Sequence, residues 1–216
     1  MIAGNPHLAL PVTHAGAPLA RARAVAIVLH GRAHTPAMAI EQIVQRIDLP
    51  GVAYLIPAAA DNSWYPTSFL AQRGDNEPRL AFALERVGAL ADELVGKGVP
   101  LASQVVIGFS QGACLACDYV YRRRARIAAL ISFTGGLIGP PGSAWPAQRG
   151  ALVDMPTLFG GSLQDPWVPA ERMFESMAVF ERLGARVGTR MYDGDRHEVG
   201  QAELDAARAI LVELGA

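Results

Sequence analysis

The run "VVIGFSQGACLACDY" (residues 105–119) decides how this chain is to be read. Its first half is β-branched and apolar, as in a strand buried on both faces, and its second half has the apolar spacing of a helix. Between them Gly108-Phe109-Ser110-Gln111-Gly112 places a serine two residues from a glycine on either side. A turn that tight brings backbone too close for a Cβ at the flanking positions, so glycines relieve the crowding while the serine is pushed out at the tip. The stretch therefore predicts a strand, a sharp turn presenting a nucleophile, and a helix.

Working outward, the same punctuation recurs. Apolar strand-like runs stand at "AVAIVLHG" (24–31), "VAYLIPAA" (52–59), "QVVIGF" (104–109), "IAALISFTGG" (127–136), "MPTLFGG" (155–161) and "ARVGTRMYDG" (185–194). Helical patterns lie between and after them, at about 36–47, 77–97, 111–124, 169–183 and 199–214. Repeated β-α alternation predicts a doubly wound, mostly parallel sheet with helices on both faces. Ligands of such sheets bind outside the carboxyl ends of the strands, where Ser110 lies. One domain over 1–216 is expected, with 1–23 as an N-terminal edge strand or arm.

Composition narrows the function classes. With 216 residues, 51% of them apolar, the chain has ample material for a core, and a net charge of −1 offers no field for nucleic acid or an anionic membrane. No stretch approaches the ~20 apolar residues of a membrane span, and the N-terminus lacks the basic start of a leader. The only cysteines, Cys114 and Cys117, are a turn apart inside an apolar helix, which favours packing over redox or metal chemistry. A soluble, cytoplasmic protein acting on a small molecule is the expectation, as a monomer or homodimer.

A serine hydroxyl needs a base, and the base needs an orienting acid. Of the five histidines (His7, His14, His30, His34 and His197), only His197 follows Ser110, and it stands just past the last strand. Asp165, directly after the carboxyl end of "TLFGGSLQ", is the choice of acid. Asp118 lies inside a helix and Asp154 before its strand; Asp193 and Asp195, in the loop of His197, read as turn formers and remain the alternative. Oxyanion donors are expected from the backbone N–H of Gln111, at a helix start, and of Arg32, in "LHGRAHT". His30 reads as a residue that holds this loop.

"VLHGRAHT", "NSWYPTSF", "GFSQGACLA", "FTGGLIGPPG", "GSLQDPWVP" and "YDGDRHEV", in this order, resemble the phospholipase/carboxylesterase family of α/β-hydrolases, which is related to the acyl-protein thioesterases. The resemblance covers about residues 24–214. It implies the α/β-hydrolase fold, about seven strands without a large cap, and puts nucleophile, acid and base on Ser110, Asp165 and His197. Two residues depart from the pattern: Ala33, where relatives often carry glycine, and Arg196, where glycine is usual and a cation beside the base is expected to lower its pKa.

The expected activity is a cofactor-independent serine carboxylesterase for small to medium esters, working through an acyl-enzyme. Thioesterase or lysophospholipase activity would use the same triad, and a non-catalytic binding module is the alternative of another class. A dienelactone hydrolase-like enzyme would carry cysteine at position 110. The cleft walls are assigned to Trp64, Tyr65, Phe69, Leu137, Ile138 and Trp167. Residues 139–150 read as a surface loop or, alternatively, a partial flap. "YRRRAR" (121–126) reads as a solvated helix end, and Arg73-Gly74-Asp75 as a turn.

Overall fold

The computed structural model describes residues 4–148 and 150–216. Seven strands form one sheet in the order β1-β3-β2-β4-β5-β6-β7. These are β1 Val12–Gly16, β2 Ala24–Leu29, β3 Val52–Pro57, β4 Gln104–Phe109, β5 Ala129–Phe133, β6 Pro156–Ser162 and β7 Arg186–Tyr192. β1 pairs antiparallel with β3 and every other pair is parallel, with Leu29 opposite Gly108 and Phe109 opposite Phe133. The edge strand expected in the N-terminal arm is β1; residues 1–3 of that arm lie outside the described residues.

Every residue of β2 to β6 is buried, which is why these strands read as continuous apolar runs rather than alternating ones. Alternate residues feed two cores. Val25, Ile27 and Leu29 join one with α3 (Arg79–Gly96), α4 (Gln111–Arg123) and α5 (Ala170–Arg182); Ala24, Ala26 and Val28 join the other, with α6 (Gln201–Glu213) and the helix over 36–47. That last helix is α1 (Pro36–Ala39) and α2 (Gln45–Ile47) joined through a π-helical turn, Ile40–Val44. Thr35 caps it, its hydroxyl accepting from Met38 N at 3.3 Å.

β7 departs from the pattern of the inner strands: as the outer strand of the sheet it is largely exposed, and its Arg186, Thr189 and Arg190 face solvent. From β2 the chain runs to β3 on one side, then crosses to β4 on the other. Such a reversal opens a crevice at the carboxyl ends of the strands, and β2, β4, β6 and β7 deliver their following loops there. Among the described residues no helix is long and apolar enough to cross a membrane.

Candidate active site

Ser110 stands at the junction of β4 and α4 with φ 53° and ψ −120°, a conformation that side chains rarely adopt. Its N–H donates to Phe133 O at 2.9 Å, which ties the turn to β5. The flanking glycines are sterically required. A Cβ on Gly108 would stand 2.4 Å from Gly112 O, and one on Gly112 would stand 2.2 Å from Leu29 O.

His197 reaches this serine from the loop after β7. Its Nε2 lies 2.8 Å from Ser110 Oγ and its Nδ1 2.7 Å from Asp165 Oδ2. Asp165, in the loop after β6, has a fully buried carboxylate whose other oxygen accepts from Trp167 N and Val168 N, both at 2.8 Å. With Nδ1–H donating to the carboxylate, Nε2 is left as the acceptor for the serine proton. The other aspartates go elsewhere. Asp193 and Asp195 are exposed, and Asp118 is buried with its Oδ2 held by Arg73 at 2.9 Å and Arg122 at 2.7 Å. Arg122 of the helix end "YRRRAR" and Arg73 of the Arg73-Gly74-Asp75 turn thus meet in one structural ion cluster.

The loop carrying the imidazole is pinned from three elements that the sequence does not advertise. Ser162 Oγ, at the end of β6, donates to Arg196 O at 3.0 Å; Tyr192 Oη donates to Glu198 O at 3.0 Å; and Arg46 of α2 donates to Val199 O at 2.7 Å. Each is a side chain bonding to backbone, so no spacing rule reveals it. Arg196 turns outward and pairs with Glu198 at 3.0 Å, with its side chain 76% exposed.

Among the described residues the N–H groups of Arg32 and Gln111 have no hydrogen-bond partner. Ala33 adopts φ 60°, in the left-handed region, which explains why glycine suits that position. Its N–H is nonetheless held by Asn62 O at 2.8 Å. His30 holds the loop as expected, with Ala59 N donating to its Nε2 at 3.2 Å and its Nδ1 2.8 Å from Gly31 O; burial lowers its pKa. The Gln111 amide group fastens the opposite rim, accepting from Trp64 N at 2.9 Å and donating to Tyr65 O at 2.7 Å.

These groups border a cleft of about 510 Å³. Of the six residues assigned to its walls, Tyr65, Phe69 and Trp167 line it, with Phe109, Cys114, Val168 and His34. Trp64, Leu137 and Ile138 do not. Trp64 is wedged between the rings of His7 and His30, centroids 5.6 and 5.0 Å away, and its indole N–H donates to His30 O at 2.8 Å. Leu137 and Ile138 are drawn away by the buried Arg172 of α5, whose guanidinium donates to Leu137 O at 3.0 Å, Gly139 O at 2.6 Å and Pro140 O at 3.2 Å. The segment that follows, expected as a loop or partial flap, is tied down by Gly139 N to Phe69 O at 2.9 Å and Tyr121 Oη to Pro146 O at 3.1 Å, and its described residues do not line the cleft; Arg149 lies outside them. The Cys114 thiol forms part of the cleft floor, where burial pushes its pKa up to about 12 and keeps it a thiol.

Residues 16–213 match the family model described as Phospholipase/Carboxylesterase. The chain belongs to the phospholipase/carboxylesterase family. A crystal structure of a phospholipase/carboxylesterase from Dyadobacter fermentans DSM 18053 is 33% identical, superposes with a TM-score of 0.86, and matches over 94% of this chain and 96% of that one. Esterase PE8, at 21% identity and TM-score 0.76, covers 95% of this chain and 99% of its own. SOBER1 of Arabidopsis thaliana, at 19% identity and TM-score 0.71, covers 88% and 98%. These two share the fold. No curated protein matches the chain in sequence. As a member of the phospholipase/carboxylesterase family the protein has the α/β-hydrolase fold without a large cap and is a serine hydrolase of the carboxylic-ester class.

Proposed function

We propose that the protein hydrolyses small to medium acyl esters through an acyl-enzyme formed on Ser110. The observation that carries this reading is the unbroken line Asp165 Oδ2, His197 Nδ1, His197 Nε2, Ser110 Oγ, at 2.7 and 2.8 Å. His197 takes the serine proton as Oγ attacks the ester carbonyl, and Asp165 stabilises the imidazolium that forms. The Arg32 and Gln111 amides receive the oxyanion, the second with the help of the α4 dipole. His197 then protonates the departing alcohol, and water repeats the sequence to release the acid. Thioesters would pass through the same intermediate.

The acyl group is assigned to the apolar side of the cleft, against Tyr65, Phe69 and Cys114, and the volume of about 510 Å³ suits a chain of modest length. Hydrolysis of p-nitrophenyl esters from acetate to decanoate tests the reading. The expected result is activity peaking at short or middle chain lengths and falling about a thousandfold or more in Ser110→Ala. A folded native protein inactive on every ester and thioester would point instead to a binding module.

A further inference from the structure

His34 enters the cleft from the loop after β2 and takes no part in the triad. Its ring stacks on Phe109, centroids 5.6 Å apart and planes 24° apart, and the same Phe109 ring meets His197 at 5.2 Å. The two imidazoles therefore share one aromatic wall. His34 Nδ1 is buried and has no hydrogen-bond partner, while Nε2 is also unpartnered but is not buried.

These contacts favour one tautomer, although Nδ1 stays unpartnered in either. A proton on Nδ1 would be a buried donor with nothing to bond, whereas a proton on Nε2 points to the open side of the ring, where water or substrate can accept it. Burial and the neighbouring His197 both lower the pKa of His34, which favours the uncharged ring. Of the other side-chain donors of the cleft, Arg32 donates to Pro66 O and Thr67 O, and Thr67 Oγ1 to Asn76 Oδ1. The Ser68 hydroxyl, which accepts from Leu70 N, and the indole N–H of the exposed Trp167 are not spent on the protein; neither shares the Phe109 wall with His197. Among the described residues no carboxylate lines the cleft.

The position of His34 selects the half of the substrate it meets. His197 Nε2 must hand its proton to the leaving oxygen, so the alcohol departs on the His197 side, and the wall shared through Phe109 puts His34 in that half. We propose that His34 is a specificity-determining residue whose Nε2–H donates a hydrogen bond to an acceptor oxygen in the alcohol portion of the ester, favouring esters of hydroxylated alcohols over those of plain alkanols. The inference rests on the acyl-enzyme reading above.

Two butyrate esters isolate the alcohol half: glyceryl 1-monobutyrate and propyl butyrate, with identical acyl groups. For His34→Ala, kcat/KM on the glyceryl ester is expected to fall about five- to tenfold, mostly through KM, because such a bond is made in both ground and transition states. On propyl butyrate the change is expected to stay within twofold. His34→Asn, which keeps an uncharged donor, is expected to recover part of the loss. Equal losses on both esters, or no loss on either, would overturn the assignment. Ser110→Ala, assayed alongside, separates the two claims: if it stays active, the triad reading fails, whereas if it is inert and the His34 variants do not discriminate, only the inference about His34 fails.

Discussion

Asp165 meets His197 through a carboxylate with no free lone pair toward solvent: Oδ2 faces Nδ1 at 2.7 Å, while Oδ1 takes two backbone N–H groups at 2.8 Å. The two amides fix which oxygen turns to the imidazole. In Asp165→Asn the amide oxygen would keep the backbone donors and the NH₂ would face Nδ1, forcing the ring proton onto Nε2. A ring in that tautomer cannot accept from Ser110. The expected result is a fall in kcat of about 10³- to 10⁴-fold with little change in KM. Steady-state kinetics check this, and a loss below tenfold would mean that another group orients the base.

Gly112 packs against the carbonyl of Leu29, and Gly74 has open space around it. Gly112→Ala would drive its Cβ into backbone that cannot swing away, so a loss of about 3 kcal/mol or more is expected in chemical denaturation. Gly74→Ala should stay within about 0.5 kcal/mol of the native protein. Equal stability of the two variants would contradict the geometry of the turn.

Phe69 borders the cleft, whereas its loop neighbour Trp64 faces the core. Phe69→Ala is expected to shift the preferred acyl chain toward longer p-nitrophenyl esters. Trp64→Phe should leave the chain-length profile where it is while costing about 1–2 kcal/mol, since His30 O loses its donor. A moved profile in Trp64→Phe would place that ring back in the substrate's path.

Glu203 gives the fold a pH dependence. Burial raises its carboxyl from the ordinary 4.5 to about 7, against the smaller opposing effects of the Gly200 N–H and Arg46, with Glu198 adding to the rise. Oε1 is buried without a partner, close to Gly160 of β6, and Tyr192 of β7 lies nearby. Between those two values the folded chain keeps a proton that the unfolded chain has lost, so the stability supplied by this group is full below pH 4.5 and falls as pH rises through 7. Glu203→Gln should therefore gain on the native protein by on the order of 2 kcal/mol between pH 5 and pH 8. Urea melts at both pH values check it, and a constant difference would refute it.

The inner strands were legible because burial on both faces leaves them mostly apolar, with only Gln104, Ser132, Thr157 and Ser162 as buried polar exceptions, and the order Ser110, Asp165, His197 was legible because each follows a strand end. The walls of the cleft were less so. Trp64, Leu137 and Ile138 sit beside motif residues, but sequence proximity does not say which side of a loop a side chain takes. For Leu137 that choice is made by Arg172, 35 residues later, inside a helix whose pattern reads as ordinary amphipathic surface. Ser162, Tyr192 and Arg46 act on backbone carbonyls and leave no trace in spacing. His34 precedes the serine and so falls outside the order that singles out His197.

The central claim is that Ser110 attacks the substrate and carries its acyl group. Reaction with an alkyl fluorophosphonate, followed by mass spectrometry of the intact chain and of its peptides, tests it most directly. The account predicts one adduct per chain, located on Ser110, and none in Ser110→Ala. Slow labelling is predicted in His197→Ala, where the base is missing. An adduct on another residue, or undiminished labelling of Ser110→Ala, would contradict it.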